Sequence, residues 1–187
     1  MNPPLIIFGA GGHGRVVIEI ARRSGLTVSL AVDDRATQPH LLNVPLVNTS
    51  NPRWLELSSF QFLVAIGDNS SRARIFNALL ARGGEPINLI DPNAFLSSSV
   101  KIGRGNVFCP GSVINTEALI GDNCILNLNC SVDHDARIGS HSHIAPASVV
   151  GGRSKLGSFS LLGAAAVIPS GTELPDHTSV PPRSIAH

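Results

Sequence analysis

The chain has 187 residues, a net charge of +1 and charged residues at only 14% of positions. That balance excludes a basic face for nucleic acid or an anionic membrane. With no Tyr and a single Trp, it also excludes an aromatic platform for single-stranded nucleic acid.

The first element is a short apolar strand, Leu5-Ile6-Ile7-Phe8, entered directly without the pattern of a signal peptide. A glycine-rich turn follows, Gly9-Ala10-Gly11-Gly12-His13-Gly14, and then a helix predicted from Val16 to Arg23, closed by Gly25. A second strand runs from about Thr27 to Val32 and ends in Asp33-Asp34. Residues 35–60, with Pro39, Pro45 and Pro52, read as a long variable connection. A third strand, Phe62 to Ile66, ends at Gly67-Asp68-Asn69, and a second helix spans Ser70 to Arg82 before Gly83-Gly84. The pattern predicts a small Rossmann-like α/β domain with a parallel βαβ-type sheet over residues 1–89.

Within it, Gly9-x-Gly11-x-x-Gly14 with Asp33 further on matches the dinucleotide fingerprint. Glycines here let a phosphate approach the backbone N–H groups at a helix N-terminus. A whole dinucleotide needs two such halves, and this stretch holds about one. A nucleotide diphosphate carried by a larger substrate fits better, and a tight turn that binds nothing remains the plain alternative.

From Ile90 to Val180 the sequence obeys another rule. Every sixth residue is aliphatic or aromatic: Ile90, Leu96, Ile102, Phe108, Ile114 and onward to Leu174 and Val180. A period of six fits neither helix nor strand and marks a hexapeptide-repeat parallel β-helix, with three hexads per coil and about five coils. Four residues after each marker the side chain is small at nearly every turn, as a narrow prism requires. Gly103, Gly121, Gly139 and Gly157 recur every eighteen residues and are expected to serve corners of unusual φ/ψ. Residues 181–187 read as a C-terminal tail. Cys109, Cys124 and Cys130 fall on the repeat as buried thiols, which suits a cytoplasmic protein. No Cys/His spacing suggests a metal site, and no apolar run approaches the ~18 residues of a membrane span.

Chemistry concentrates at Asp133-His134-Asp135, with His141 and His143 shortly after. An imidazole beside a carboxylate is how a general base is oriented. The same residues also suit a solvated coil corner. A zinc site is disfavoured, because one and two coils beyond His134 the chain has Gly152 and Ser170.

Taken together, the Gly-His-Gly-Arg turn, Asp33-Asp34, Ile66-Gly67-Asp68-Asn69 and His134-Asp135 resemble the sialic-acid O-acetyltransferase and UDP-N-acetylbacillosamine N-acetyltransferase family of hexapeptide-repeat sugar acetyltransferases. The resemblance covers nearly the whole chain. It implies a left-handed β-helix over 90–180, a homotrimer, acetyl-CoA bound between neighbouring subunits, and a nucleotide-linked sugar held by the first domain. It implies that His134 is the general base and Asp135 its acidic partner, usually Glu in the family. It places His143 near the acetyl group and Asn127 near the acceptor. By the same resemblance Gly11, Gly12, His13, Gly14, Arg15, Asp33, Asp34, Gly67 and Asn69 contact the nucleotide sugar. The turns Gly151-Gly152, Gly157 and Gly163-Ala164-Ala165 would line the pantetheine groove.

The expected function is acetyl-CoA-dependent N-acetylation of a nucleotide-linked amino sugar for surface polysaccharide or glycan synthesis, without a metal. The rivals are O-acetylation of a sugar hydroxyl, a non-catalytic trimeric sugar-nucleotide binder, and a γ-carbonic-anhydrase-like metal enzyme. Relative to the family, the segment after Ile168-Pro169-Ser170-Gly171 is about one coil short, with Pro175 and the Pro181-Pro182 tail expected to cap the prism.

Overall fold

The structure, a computed structural model, describes residues 3–186. The chain divides into two compact units at Leu89/Ile90.

The first unit is built on β1 (Leu5–Phe8), whose four residues are all buried. A strand covered on both faces reads as a continuous apolar run. Helix α1 (Gly12–Arg23) begins four residues before the expected Val16, because the glycine-rich turn itself supplies its first turn. Strand β2 (Val28–Val32) follows. The stretch expected as a connection instead holds β3 (His40–Leu41), β4 (Val44–Val47) and the short helix α2 (Pro52–Leu55). Leu42 and Asn43, at φ 48° and 63°, form the two-residue hairpin between β3 and β4. Positive φ at both loop residues suits the twist of a tight hairpin, and Leu42 gives no turn signal in sequence. Strand β5 (Gln61–Val64), helix α3 (Asn69–Ala81) and strand β6 (Glu85–Pro86) complete the unit. Asp68 caps α3 by accepting the Ser71 N–H at 2.8 Å.

The sheet order is β3-β4-β2-β1-β5-β6, parallel except for β3. The chain goes from β1 to β2 on one side and to β5 on the other. Such a reversal opens a crevice at the carboxyl ends of the strands, where open sheets hold ligands.

The second unit is a parallel β-helix of two-residue strands, each ending on a hexad marker. Strands pair with those eighteen residues away, as Ile114 does with Val132, Ile120 with Ile138 and Leu126 with Ile144. The first face of the prism carries Leu126 and Ile144, the second Ile114 and Val132, and the third Ile120 and Ile138. Markers from Phe108 to Ile168 fill the interior. Ile90, the first of the series, is 38% exposed while Leu89 is buried in its stead. At the small positions, buried Ser142, Ser148, Ser154 and Ser160 donate their hydroxyls to backbone carbonyls, as Ser148 does to Ala145 at 2.6 Å.

The corners work differently from the expectation. The third residue after a marker takes the left-handed conformation, and most of these residues are not glycine: Asn123, Asn129, Asp135, His141, Phe159 and Ala165 among them. Gly121 and Gly139 are needed instead for close approach of the next coil. A β-carbon on Gly121 would lie 2.6 Å from the Ser140 nitrogen, and one on Gly139 would lie 2.6 Å from the Gly157 carbonyl carbon.

Residues 181–186 do not fold across the prism end. They carry the repeat on, with Arg183 left-handed at φ 60°, Ala186 buried, and the Ala186 N–H bonded to the Val167 carbonyl at 2.9 Å. Pro175 sits in an ordinary corner, its carbonyl accepting the Thr178 hydroxyl at 2.7 Å.

Candidate active site

His134 and Asp135 occupy the corner between the second and third faces. Asp135 is the left-handed residue of that corner, at φ 58°, and this turn brings its carboxylate back to the preceding imidazole. His134 Nδ1 lies 2.8 Å from Asp135 Oδ2. A carboxylate only accepts, so Nδ1 carries the hydrogen and Nε2 keeps its lone pair. The His134 side chain is 49% exposed, so that lone pair is within reach of a ligand.

Asp133, part of the Asp-His-Asp run in the sequence but without an expected role there, lies on the other side of His134. Asp133 Oδ1 accepts the His134 backbone N–H at 2.7 Å and the Asn115 side-chain amide at 2.9 Å, while Oδ2 lies 3.8 Å from Nε2. The bond to the His134 N–H, and then the one from Asn115, hold the Asp133 carboxyl below the ordinary carboxylate range. Asn115 stands one coil before Asp133, so the eighteen-residue period was the signal that could have found it. One coil beyond His134, buried Gly152 packs against the ring: a β-carbon there would meet Nε2 at 2.8 Å.

His143 belongs to the first face, the face opposite the His134 corner. Its Nε2 pairs with Asn127 Nδ2 at 3.1 Å, so the two residues expected near acetyl group and acceptor do meet each other. Gly163, Ala164 and Ala165 form the corner between the first and second faces, Gly163 buried and both alanines exposed. A single coil therefore does not gather His134, His143 and this turn at one point. His141 joins a different column: Asn123 Nδ2 at 2.9 Å, then Phe159 and His177, with ring centroids 4.8 and 5.0 Å apart.

The thiols are interior. Burial pushes Cys109 and Cys130 up to about 12, which leaves no nucleophilic thiolate at neutral pH. Among the described residues no group of three His, Cys, Asp or Glu can hold a metal. No helix among them is long and apolar enough to cross a membrane.

In the first unit a cleft of about 880 Å³ opens at the carboxyl ends of β1, β2 and β5. Of the expected nucleotide-sugar residues, Gly11, Gly12, His13, Arg15, Asp33, Asp34 and Gly67 line it. Gly14 and Asn69 stand behind it: Gly14 is buried with the Gly9 carbonyl against its Cα, and Asn69 Oδ1 accepts the Arg72 guanidinium at 2.7 Å. Asn127 belongs to the other unit. Asp33 is already engaged, Oδ2 accepting the Ala10 N–H at 2.7 Å and Oδ1 the Arg35 N–H at 2.9 Å. It thus ties β2 to the glycine-rich turn. Asp34 accepts the Thr49 hydroxyl at 2.6 Å and its N–H at 2.9 Å, and these bonds lower its pKa.

One further contributor was not visible in sequence. Arg72 is 1% exposed and braces the β5–α3 turn by donating to the carbonyls of Ile66 at 3.0 Å and Gly67 at 3.1 Å. Trp54 also lines the cleft, 6% exposed, between the edge of Phe8 and the Arg82 guanidinium 4.7 Å from its ring centroid.

The PglD N-terminal domain family matches residues 4–79. A solved structure of GDP-perosamine N-acetyltransferase from Caulobacter crescentus, a histidine-to-alanine variant in complex with CoA and GDP-perosamine, is 34% identical with a TM-score of 0.93. That match covers 100% of this chain and 90% of that one. Among curated relatives, the GDP-perosamine N-acetyltransferase of Escherichia coli O157:H7 is 30% identical over 62% of this chain and 55% of its own. The UDP-N-acetylbacillosamine N-acetyltransferase of Bacillus subtilis (strain 168) is 32% identical over 54% of this chain and 49% of its own. The chain spans about half the length of these curated relatives. Its repeat, its glycine-turn domain and its full-length likeness to the Caulobacter enzyme give one conclusion: the chain belongs to the hexapeptide-repeat sugar acetyltransferases, alongside the GDP-perosamine and UDP-N-acetylbacillosamine N-acetyltransferases.

Proposed function

We propose that this protein transfers the acetyl group of acetyl-CoA to the amine of a nucleotide-linked amino sugar, with His134 as general base. The observation that carries the reading is the 2.8 Å contact between His134 Nδ1 and Asp135, which leaves Nε2 as the exposed base in a coil corner. The GDP-perosamine and UDP-N-acetylbacillosamine relatives are N-acetyltransferases, and the Caulobacter structure holds CoA together with GDP-perosamine.

In this reading the amine nitrogen attacks the thioester carbonyl, forming the C–N bond. His134 Nε2 takes a proton from the nitrogen. The tetrahedral adduct then expels the sulfur, which receives that proton from the imidazolium. Asp135 holds the ring and stabilises its charged form, and N–H groups of the coil corners are the available donors for the oxyanion. No acyl-enzyme is required, in keeping with the buried thiols. The first-unit cleft takes the nucleotide: the N-terminus of α1 and the Gly11-Gly12 backbone face the diphosphate, and Asp34 and Arg15 lie at its rim.

A homotrimer with acetyl-CoA between subunits accounts for two features of the coils. His134 and His143 lie on opposite sides of one prism, so a site that uses both needs a neighbouring copy. Phe95 and Val113 also pair on the second face, exposed by 57% and 41%, with Val149 (39%) one coil past the intervening Ser131, and a second copy would cover these apolar side chains. His143, Gly152 and the Gly163-Ala164-Ala165 corner are the proposed donor contacts, and Asn127 the acceptor contact. Buried thiols stay reduced in the cytoplasm, the proposed location.

The test is product identity. Incubation with acetyl-CoA and either GDP-perosamine or the UDP-linked amino sugar of the bacillosamine series should give a nucleotide sugar heavier by one acetyl group, with free CoA released in equal amount. No acetylated product from either acceptor, with both bound, would leave a non-catalytic sugar-nucleotide binder.

A further inference from the structure

Asp133 is the one carboxylate of the His134 corner that the reaction just described leaves unused, and its two oxygens do different things. Oδ1 carries both hydrogen bonds the group accepts among the described residues, from the His134 backbone N–H at 2.7 Å and from Asn115 Nδ2 at 2.9 Å. Oδ2 is turned to the other side and stands 3.8 Å from His134 Nε2, the nitrogen that Asp135 leaves free. The two atoms converge over Gly152: a β-carbon placed there would meet Nε2 at 2.8 Å and Oδ2 at 3.2 Å. Glycine keeps that side open. The Asp133 side chain is 43% exposed, so a ligand can reach it.

We propose that Asp133 Oδ2 is the acceptor-selecting group of the site, holding the sugar amine as its ammonium against His134 Nε2 and so favouring an amine over a hydroxyl. This rests on the reading of His134 as the base. A primary amine on a sugar is largely protonated near neutral pH and must lose a proton before it can attack. An ammonium bridging Oδ2 and Nε2 offers one hydrogen to the carboxylate and one to the imidazole lone pair. The proton passed to Nε2 leaves a neutral amine, still hydrogen-bonded to Oδ2, whose lone pair attacks the thioester. The adduct nitrogen then loses its second proton to solvent, and the imidazolium returns the first to the departing CoA sulfur. The sum is one amide, one thiol and one released proton. A hydroxyl carries no charge for Oδ2 to stabilise and already donates its single hydrogen to Nε2, so it gains nothing from Asp133. The bonds that fix Oδ1 also keep the carboxyl ionised, which the role requires.

Asp133→Asn separates the two oxygens. The amide oxygen can still serve Asn115 and the His134 N–H, while the charge facing Nε2 is lost. Affinities are measured without acetyl-CoA, for GDP-perosamine and for the same GDP-sugar with a hydroxyl in place of the amine, and for the corresponding UDP-linked pair. The expected result is that the variant binds the amine ligand about tenfold more weakly, the scale of one charged hydrogen bond, and the hydroxyl ligand unchanged. Wild-type preference for amine over hydroxyl should shrink by the same factor, and KM for the amino sugar should rise more than kcat falls. A preference unchanged within about twofold in the variant overturns the proposal. So does an equal loss for both ligands, the mark of a merely structural role. Full turnover by His134→Ala with the Asp133 effect intact would instead sink the base assignment alone. Failure of the wild-type protein to bind any of the four nucleotide sugars would overturn both.

Discussion

Gly152 lies one coil beyond His134 with no side chain between them, and the nearest atoms to its missing β-carbon are His134 Nε2 and Cε1, at 2.8 and 3.0 Å. Those atoms belong to a side chain that can move. At Gly139 the obstacle is backbone, the Gly157 carbonyl carbon at 2.6 Å. Gly152→Ala should therefore displace the imidazole from Asp135 and lower kcat by roughly ten- to a hundredfold, on the scale of losing aligned base catalysis, with a near-normal melting temperature. Gly139→Ala should cost about 1–3 kcal/mol in stability by forcing two coils apart. Kinetics and melting of the pair check this. Equal destabilisation by both would contradict it.

The N-cap of α3 gives a pH signature. Hydrogen bonds from Ser71 lower the Asp68 pKa below its ordinary 3.8. A carboxylate depressed in the folded state contributes stability that is full above the unfolded value and lost as pH falls through the folded one. Asp68→Ala should thus lower the melting temperature at pH 7, by the equivalent of about 1 kcal/mol for a lost cap, and the gap to wild type should close below pH 3.8. A gap that persists undiminished at the lowest pH would show that the cap acts through something other than its charge.

All three thiols are buried, and Cys109 and Cys130 are raised to about 12. The native protein should not react with a thiol reagent at pH 8 over minutes, and should release three equivalents on unfolding. Cys130→Ala should retain activity. Rapid modification of one native thiol, with loss of turnover, would reopen a cysteine nucleophile.

Arg72 sits under the nucleotide cleft and braces the carbonyls of Ile66 and Gly67. Arg72→Met leaves those acceptors without their donor, at a cost of about 2 kcal/mol or more, and loosens the turn that lines the cleft. Trp54, the only tryptophan, lines the same cleft and provides the readout. Nucleotide sugar should change its fluorescence in wild type and require a higher concentration to do so in the variant. Identical titrations would place the ligand away from this turn.

The coils were legible because the repeat constrains every sixth position. A marker such as Ile138 must fill the prism, and a large residue at Ala136 beside it has no room. What did not show was the division of labour at the corners. Glycine at position 121 suggested a left-handed turn, yet that conformation falls to Asn123 two residues later, and Gly121 serves close approach. The hairpin at Leu42-Asn43 was hidden because leucine gives no hint of positive φ, and Pro45 argued against a strand. At the site, Asp135 could be anticipated as a neighbour of His134, whereas Asn115 and Gly152 reach the same corner only through the eighteen-residue stacking. Arg72 was misleading for another reason: an arginine on a helix reads as surface, and only the three-dimensional turn reveals the acceptors that bury it.

The most direct test of His134 as the base is the steady-state rate of CoA release by His134→Ala beside wild type, with saturating acetyl-CoA and amino-sugar nucleotide. The expected kcat is lower by about 10²–10⁴, with a melting temperature close to wild type. A kcat within about threefold of wild type would contradict it, and the proton would have to leave by another route.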